Sequence, residues 1–220
     1  MKFLRQSLGL SAHFLSLELR NKNAFFGLLI YAVSTVFVTY LSTQGFVSEN
    51  IYAALIWILL LFISINAAGK SFLQNNDGLH LFYFQSVPPN VYLLGKHLFT
   101  AGLVLILILG VSGLCMALFS PHIESYLGYF GALILGATGF AFTIGFLSAV
   151  AQTAAGNFTM VSILSFPVLL PFFLTQVKLM NLSLVSQNIN LELKYIGILF
   201  LLNLLVLGLS LVLFPYLWRD

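Results

Sequence analysis

The chain has 220 residues, of which 60% are hydrophobic and only 7% are charged, and its mean hydropathy is +1.03. Because a soluble domain is about a quarter charged, this composition excludes a soluble globular protein and indicates an integral membrane protein. The net charge of +3 is too small and scattered to suggest nucleic acid, and the single cysteine, Cys115, excludes both an intrachain disulfide framework and a cysteine-based metal site.

Residues 1–23 precede the first long apolar run and are predicted to form a cytoplasmic amphipathic helix. Four leucines share one face of this helix: Leu4, Leu8, Leu15 and Leu19. Such a face is typical of a helix that lies in the membrane interface. No small-residue cleavage site follows, which argues against a cleaved signal peptide, and a frayed leader tail is the alternative.

Six stretches are long and apolar enough to cross a bilayer, since a spanning helix needs about 20 mostly apolar residues. They are predicted at Ala24–Leu41, Ile51–Ala68, His97–Phe119, Tyr126–Ala151, Thr159–Gln176 and Tyr195–Trp218. None of them contains Asp, Glu, Lys or Arg. The sequence therefore predicts an all-α integral membrane protein with a six-helix transmembrane domain over residues 24–218.

Basic residues indicate how this domain is oriented. If both termini share one side, that side carries seven of the nine basic residues: Lys2, Arg5, Arg20, Lys22, Lys70, Lys96 and Arg219. The other side has two basic residues beside three acidic ones: Lys178, Lys194, Glu49, Glu124 and Glu192. The positive-inside rule then places both termini in the cytoplasm.

The longest polar interval, residues 69–96, connects spans 2 and 3 on the cytoplasmic side. It begins with Gly69, Lys70 and Ser71, which match the end of a phosphate-binding P-loop. Ser64 stands where that motif needs its first glycine, and an unbroken apolar run precedes it. The sequence therefore argues against a nucleotide site and places Lys70 at the end of a span.

The same interval is predicted to hold a short helix at the membrane surface. The run from Asn75 to Gly78 is a turn signal, a helix over Leu79–Phe84 can follow it, and Pro88 and Pro89 end that helix. We interpret this segment as a docking element for a cytoplasmic partner, with a connector that has no partner as the alternative. The residues assigned to it are Asp77, Gly78, Leu79, Phe82, Pro88, Pro89 and Lys96.

Spans 4 and 5 carry two further patterns. Small residues four apart form a ridge along span 4: Ala137, Ala141, Gly145 and Ala149. Such a ridge favours close helix packing, within the bundle or across a dimer, and a substrate path is the alternative. In span 5, Pro167 and Pro171 predict a kink, with Ser162 and Ser165 available to satisfy the freed carbonyls.

The titratable groups argue against catalysis or ion coupling within the membrane. The four histidines do not share the spacing of a metal pair and are interpreted as interfacial polar residues: His13, His80, His97 and His122. No span carries the ionisable groups that mark pumps and proton relays. A transporter of this kind would need its energy from another polypeptide.

Two stretches resemble the cytochrome c maturation B family (CcmB, heme exporter protein B). One joins Asn76-Asp77-Gly78-Leu79, Ser86-Val87-Pro88-Pro89 and Gly95-Lys96, similar to the family's cytoplasmic loop, although Phe72–Asn76 is uncharged where relatives carry a charged run. The other runs from Gly136-Ala137-Thr138-Gly139-Phe140 to Ala151 and then Ser162–Pro171, similar to the family's glycine-rich fourth span and L-x-x-P-x-x-x-P fifth span.

The resemblance implies an ABC-2-type permease-like bundle in the bacterial inner membrane, a non-catalytic subunit of an ABC transporter complex for cytochrome c maturation. It implies a CcmA-like ATPase docked on the coupling loop, two permease copies, CcmC-like and CcmD-like heme-handling subunits, and a periplasmic CcmE-like heme chaperone. No directly bound cofactor is predicted, and heme is implied as a substrate of the complex. An axial-ligand role for His122 is a minor alternative. A permease for a polysaccharide, lipid or drug, and a membrane scaffold that transports nothing, are the alternative functions.

Overall fold

The computed structural model describes residues 2–20, 22–69, 83, 87–153, 158–185 and 188–217. This part of the chain folds into seven helices and no strand: α1 (Lys2–Arg20), α2 (Lys22–Thr43), α3 (Glu49–Ala68), α4 (Pro89–Phe119), α5 (Tyr126–Thr153), α6 (Phe158–Val185) and α7 (Ile189–Leu217). Helices α2 to α7 are each long and apolar enough to cross a membrane. The predicted all-α membrane fold with six spans is therefore confirmed.

Helices α4, α6 and α7 extend by more than a turn beyond the apolar stretches from which their spans were predicted, α7 beginning at Ile189 rather than Tyr195. Helix α4 begins at Pro89, two turns before His97, and α6 continues more than two turns past Gln176. Hydropathy marks only the part of a helix that is apolar, whereas the backbone hydrogen bonds continue into polar sequence. Pro88 is extended (φ −60°, ψ 141°) and Pro89 occupies the first turn of α4, where an amide donor is not needed.

Helix α5 is the centre of the bundle and packs against α3, α4, α6 and α7. Its membrane-spanning part is the most buried of the six, while those of α2 and α7 are the most exposed. In lipid, helices associate through close packing because the surrounding acyl chains are as apolar as the side chains. The tight contacts that hold this bundle together are therefore concentrated on α5.

Two glycines of α5 permit the closest of these contacts. A Cβ atom at Gly136 would lie 2.3 Å from Cη2 of Trp57 on α3, and one at Gly139 would lie 2.5 Å from Cε1 of Phe172 on α6. Trp57 and Phe172 are fully buried. The two rings thus lie directly against the backbone of α5.

The ridge of small residues predicted for span 4 is also in the interior. All four members are buried within this single chain: Ala137, Ala141, Gly145 and Ala149. Their burial is what close packing within the bundle requires, since small side chains let helix backbones approach.

Helix α6 passes through both of its prolines without interruption. Pro167 and Pro171 lie on its exposed side, away from the bundle. The hydroxyl of Ser165 donates to the carbonyl of Val161. Since Pro167 frees the carbonyl of Ile163, four residues before it, the expectation that Ser165 satisfies a freed carbonyl is wrong. The kink itself stays a prediction.

Candidate functional site

Four buried rings from α1, α4 and the connection before α4 meet and form what we call the Phe14 aromatic cluster: Phe14, Tyr83, Tyr92 and Phe99. Phe14 of α1 is its centre, with ring centroids 5.6 Å from Tyr83, 5.8 Å from Tyr92 and 6.2 Å from Phe99. The contacts to Tyr83 and Tyr92 are edge-on, the geometry that aromatic quadrupoles favour. The cluster attaches α1 to the start of α4.

The sequence of α4 lets α1 approach closely beside this cluster. A Cβ atom at Gly95 would lie 3.1 Å from Cβ of Leu10 and 3.3 Å from the carbonyl oxygen of Ser7. Ser7, Leu10 and Phe14 follow helical spacing, so one face of α1 docks on α4. A side chain at Gly95 would push the two helices apart.

The docked face of α1 differs from the leucine face that the sequence predicted. Leu8 and Leu15 are exposed, so they point away from α4, while Leu4 and Leu19 have side chains outside the described residues. Phe14, which sequence analysis passed over, makes the contact instead. The position of α1 in the membrane interface stays a prediction.

Lys96, assigned to the coupling loop from the sequence, is buried against α1. Its Nζ atom lies 4.7 Å from the centroid of the Phe14 ring. A cation over an aromatic face is attracted by the ring quadrupole, most strongly where water is excluded. Lys96 therefore adds a second attachment between α4 and α1.

Tyr83 joins the connection between spans 2 and 3 to the same cluster. Its ring centroid lies 5.5 Å from that of Tyr92, and burial raises the pKa of its phenol. The carbonyl of Tyr83 accepts a hydrogen bond from the amide of Val87 (3.0 Å), and the carbonyl of Pro88 accepts one from Tyr92 (3.1 Å). The hydrogen bond between Tyr83 and Val87 therefore holds Tyr83 close to the start of α4.

The other end of that connection is held by α5. The carbonyl of Gly69, just after α3, accepts a hydrogen bond of 2.9 Å from the hydroxyl of Ser148. Four residues assigned to docking lie outside the described residues: Asp77, Gly78, Leu79 and Phe82. Their role stays a prediction, but both described ends of the segment are attached to the bundle.

The cluster also reaches the last span. Phe214 of α7 stacks on Tyr92, with centroids 6.3 Å apart and ring planes within 15° of parallel. A displacement of Tyr83 would therefore act directly on Phe14 of α1 and Tyr92 of α4, and through Tyr92 on Phe214 of α7. Packed side chains of this kind can transmit a displacement because an interior filled to high density has little room to absorb it.

Higher in the bundle, His97 is fully buried, which corrects its interpretation as an interfacial residue. Its Nε2 atom lies 3.3 Å from the hydroxyl oxygen of Ser210 on α7, and its ring lies 5.3 Å from that of Phe142 on α5. One turn of helix moves a residue by about 5.4 Å along the helix axis, which is enough to take a side chain from the membrane interface into the bundle. His97 thus links α4 to α7.

A second group of polar side chains lies around Gly136. The indole Nε1 of Trp57 and both amide atoms of Gln176 are buried and have no hydrogen-bond partner among the described residues. Asn203 of α7 donates 3.0 Å to the carbonyl of Leu135. Buried polar atoms usually have a hydrogen-bond partner, so these unpaired atoms are exceptions. Together with Asn203 they make this level of the bundle more polar than its hydropathy indicates.

A buried carboxylate links the start of α5 to the start of α7. Ser125 begins α5, and its hydroxyl donates 2.7 Å to Oε2 of Glu192, which has no solvent exposure. The same serine oxygen accepts from the amide of Gly128 (3.3 Å), as a helix N-cap does. Sequence analysis counted Glu192 only as an outer loop charge. Nothing in its sequence neighbourhood shows that Ser125 is its partner.

Nearby, the exposed His122 pairs with Glu124 through an Nε2–Oε1 contact of 2.8 Å. Among the described residues, no three His, Cys, Asp or Glu side chains converge as metal ligands would. His122 thus makes a polar contact with Glu124 at the surface.

Comparison with known families gives one result that covers almost the whole chain. The model of the family described as CcmB protein matches residues 6–216. No curated protein was found to match the chain.

Proposed function

Because the chain belongs to the CcmB family, we propose that it is the permease subunit of an ABC complex for cytochrome c maturation, driven by a separate ATPase. The family match over residues 6–216 is the observation that carries this proposal. Six helices long enough to cross a membrane supply the body that such a subunit requires. Heme is the substrate class that family membership associates with the complex.

The ATPase docks on the cytoplasmic segment between Gly69 and Lys96. Its described ends support this role, because Ser148 holds one and the Phe14 aromatic cluster holds the other. Each aromatic pair contributes about 0.5–1.5 kcal/mol beyond the area it buries. Movement of the segment is thereby passed through Tyr83 to α1, α4 and α7.

The remaining parts of the proposal concern the assembly. Two permease copies pair with two CcmA-like ATPases, and CcmC-like and CcmD-like subunits load heme onto a periplasmic CcmE-like chaperone. The complex resides in the bacterial inner membrane with both termini of this chain in the cytoplasm. The excess of basic residues on that side supports this orientation.

Docking is tested by reconstituting the purified chain with its ATPase and companion subunits in proteoliposomes. The double variant Asp77→Arg, Leu79→Asp should abolish stimulation of ATP hydrolysis and block cytochrome c assembly in cells. A matched control makes the same kinds of change on the outer side, with Phe46→Asp and Glu49→Arg, both at exposed positions. If the Asp77, Leu79 variant keeps full stimulation and assembly, the docking assignment is wrong.

Sidedness is tested with a cysteine at Gln85 in a Cys115→Ser background. Cys115 is buried, so its replacement removes a competing thiol of low accessibility. A membrane-impermeant maleimide should label position 85 only after the cells are permeabilised. Labelling in intact cells would place the segment outside and remove the basis for an ATPase contact.

A further inference from the structure

A cleft of about 340 Å³ opens at the outer end of the bundle between α3, α6 and α7. Its size lies at the lower end of the range of about 300–1,000 Å³ found for ligand pockets. Asn50 lies in the first turn of α3, and Tyr195 lies within two turns of the start of α7. These positions put the cleft near the outer ends of the spanning helices, at the depth of lipid headgroups, where tyrosine is enriched.

One wall of the cleft is polar. Lys178 and Asn181 of α6 lie one turn apart there, and Asn50 faces them from α3. Lys178 is exposed and has no carboxylate within ion-pair distance among the described residues. The Oδ1 atom of Asn181 is buried and finds no donor among those residues. The polar wall thus offers a cation for an anionic group and a buried acceptor that requires a donor.

The opposite wall is apolar and open. It is formed by Leu182, Val185 and Leu191. Val185 is 61% exposed and Leu191 is 41% exposed, so this side of the cleft continues onto the lipid-facing surface. A ligand that fits must therefore be polar at one end and able to run along an apolar helix surface at the other.

We propose that this cleft binds a phospholipid whose headgroup carries a phosphate and an N–H donor, phosphoethanolamine being the simplest example. The phosphate accepts a charge-assisted hydrogen bond from Lys178. The ammonium donates to Oδ1 of Asn181, and one acyl chain lies along Val185 and Leu191. This lipid site goes beyond the proposed export function and does not depend on it.

The test is native mass spectrometry of the purified, delipidated full-length chain, titrated with phosphatidylethanolamine or phosphatidylcholine of the same acyl composition. Phosphatidylcholine keeps the phosphate and the charge but replaces every N–H by a methyl group. Phosphatidylethanolamine should bind about tenfold more tightly, because only it satisfies the buried acceptor of Asn181. Equal binding of the two lipids would overturn the proposal.

Four variants separate the two contacts. Lys178→Ala should weaken the binding of both lipids about tenfold, whereas Lys178→Arg should keep most of the wild-type affinity. Asn181→Leu should reduce the affinity for phosphatidylethanolamine to that for phosphatidylcholine, and should leave the affinity for phosphatidylcholine unchanged. Lys194→Ala is the matched control, an exposed lysine on the same side of the membrane that does not line the cleft.

Two further outcomes would refute a lipid site at this position. One is unchanged lipid binding by Lys178→Ala at the thermal stability of the wild type. The other is complete displacement of the lipid by millimolar inorganic phosphate, which would show a site for a free anion. Because the titration needs neither the ATPase nor heme, its failure is distinguishable from failure of the export function.

Discussion

The contact between Gly136 and Trp57 makes a sharp prediction about stability. In the substitution Gly136→Ala, the new Cβ atom would lie 2.3 Å from Cη2 of Trp57 and 2.8 Å from Nε2 of Gln176. Carbon atoms pack at roughly 3.5 Å or more, so the ring would have to retreat by about 1.2 Å. Trp57 is fully buried and its ring also meets Phe140 edge-on at 5.8 Å, which leaves it little freedom to move.

The expected magnitude follows from two opposing terms. Overpacking a well-filled interior costs about 1–3 kcal/mol and occasionally more. Alanine is favoured over glycine within a helix by about 1 kcal/mol, which offsets part of that cost. With a displacement larger than an ångström against a rigid indole, we expect the upper end of the packing cost and a net loss of about 2 kcal/mol.

Gly110→Ala is the control, because Gly110 is also helical and an added Cβ there would meet nothing within 4 Å. The same substitution should leave stability unchanged or raise it at this position. Thermal unfolding of the two variants in one detergent, followed by tryptophan fluorescence, checks the difference. If Gly136→Ala unfolds at or above the temperature of Gly110→Ala, the packing argument is refuted.

Three other substitutions test the remaining contacts. Phe14→Ala should reduce the free energy that holds α1 on α4 by about 3–5 kcal/mol, expose α1 to limited proteolysis and lower the stimulation of ATP hydrolysis. Leu15→Ala, on the exposed side of α1, should have none of these effects. Protection of α1 from proteolysis in the Phe14 variant would contradict the anchoring role of Phe14. Tyr83→Ala should uncouple ATP hydrolysis from cytochrome assembly, whereas Tyr83→Phe keeps the ring and should keep the coupling. Equal cytochrome assembly by the two variants would show that the ring does not link the segment to the bundle. Ser125→Ala should destabilise the chain by about 1–3 kcal/mol, because it removes the hydrogen-bond partner of the buried Glu192 carboxylate and of the Gly128 amide. Ser48→Ala should be nearly neutral, because that N-cap makes no side-chain hydrogen bond. Denaturant titration in detergent that shows equal losses for the two serines would remove the special role of Ser125.

The six spans could be predicted because lipid imposes a simple demand on sequence. Every backbone polar group in the bilayer must be paired, so long apolar helices are nearly the only solution. The extra turns of α4 and α6 could not be read from hydropathy, since they lie in sequence that is helical but not uniformly apolar. Membrane chemistry thus fixes the number of helices better than their ends.

Contacts between helices could be predicted from the sequence to a much smaller extent. No periodicity distinguishes the face of α1 that holds Ser7, Leu10 and Phe14 from the leucine face. Burial of Glu192 depends on Ser125, which is distant in sequence. Small residues in span 4 did indicate close packing, but only the fold shows that Gly136 receives Trp57. Pairing of distant residues is a tertiary property that one sequence does not display.

The docking of α1 on α4 has a consequence for biosynthesis. Phe14 leaves the ribosome before Tyr92, its partner in the Phe14 aromatic cluster, and about 80 residues separate them. At about 5–20 residues per second, α1 waits roughly 4–16 seconds before its binding surface on α4 has been translated. A nascent chain arrested late in that interval therefore carries its first two spans but lacks the α4 residues on which α1 docks.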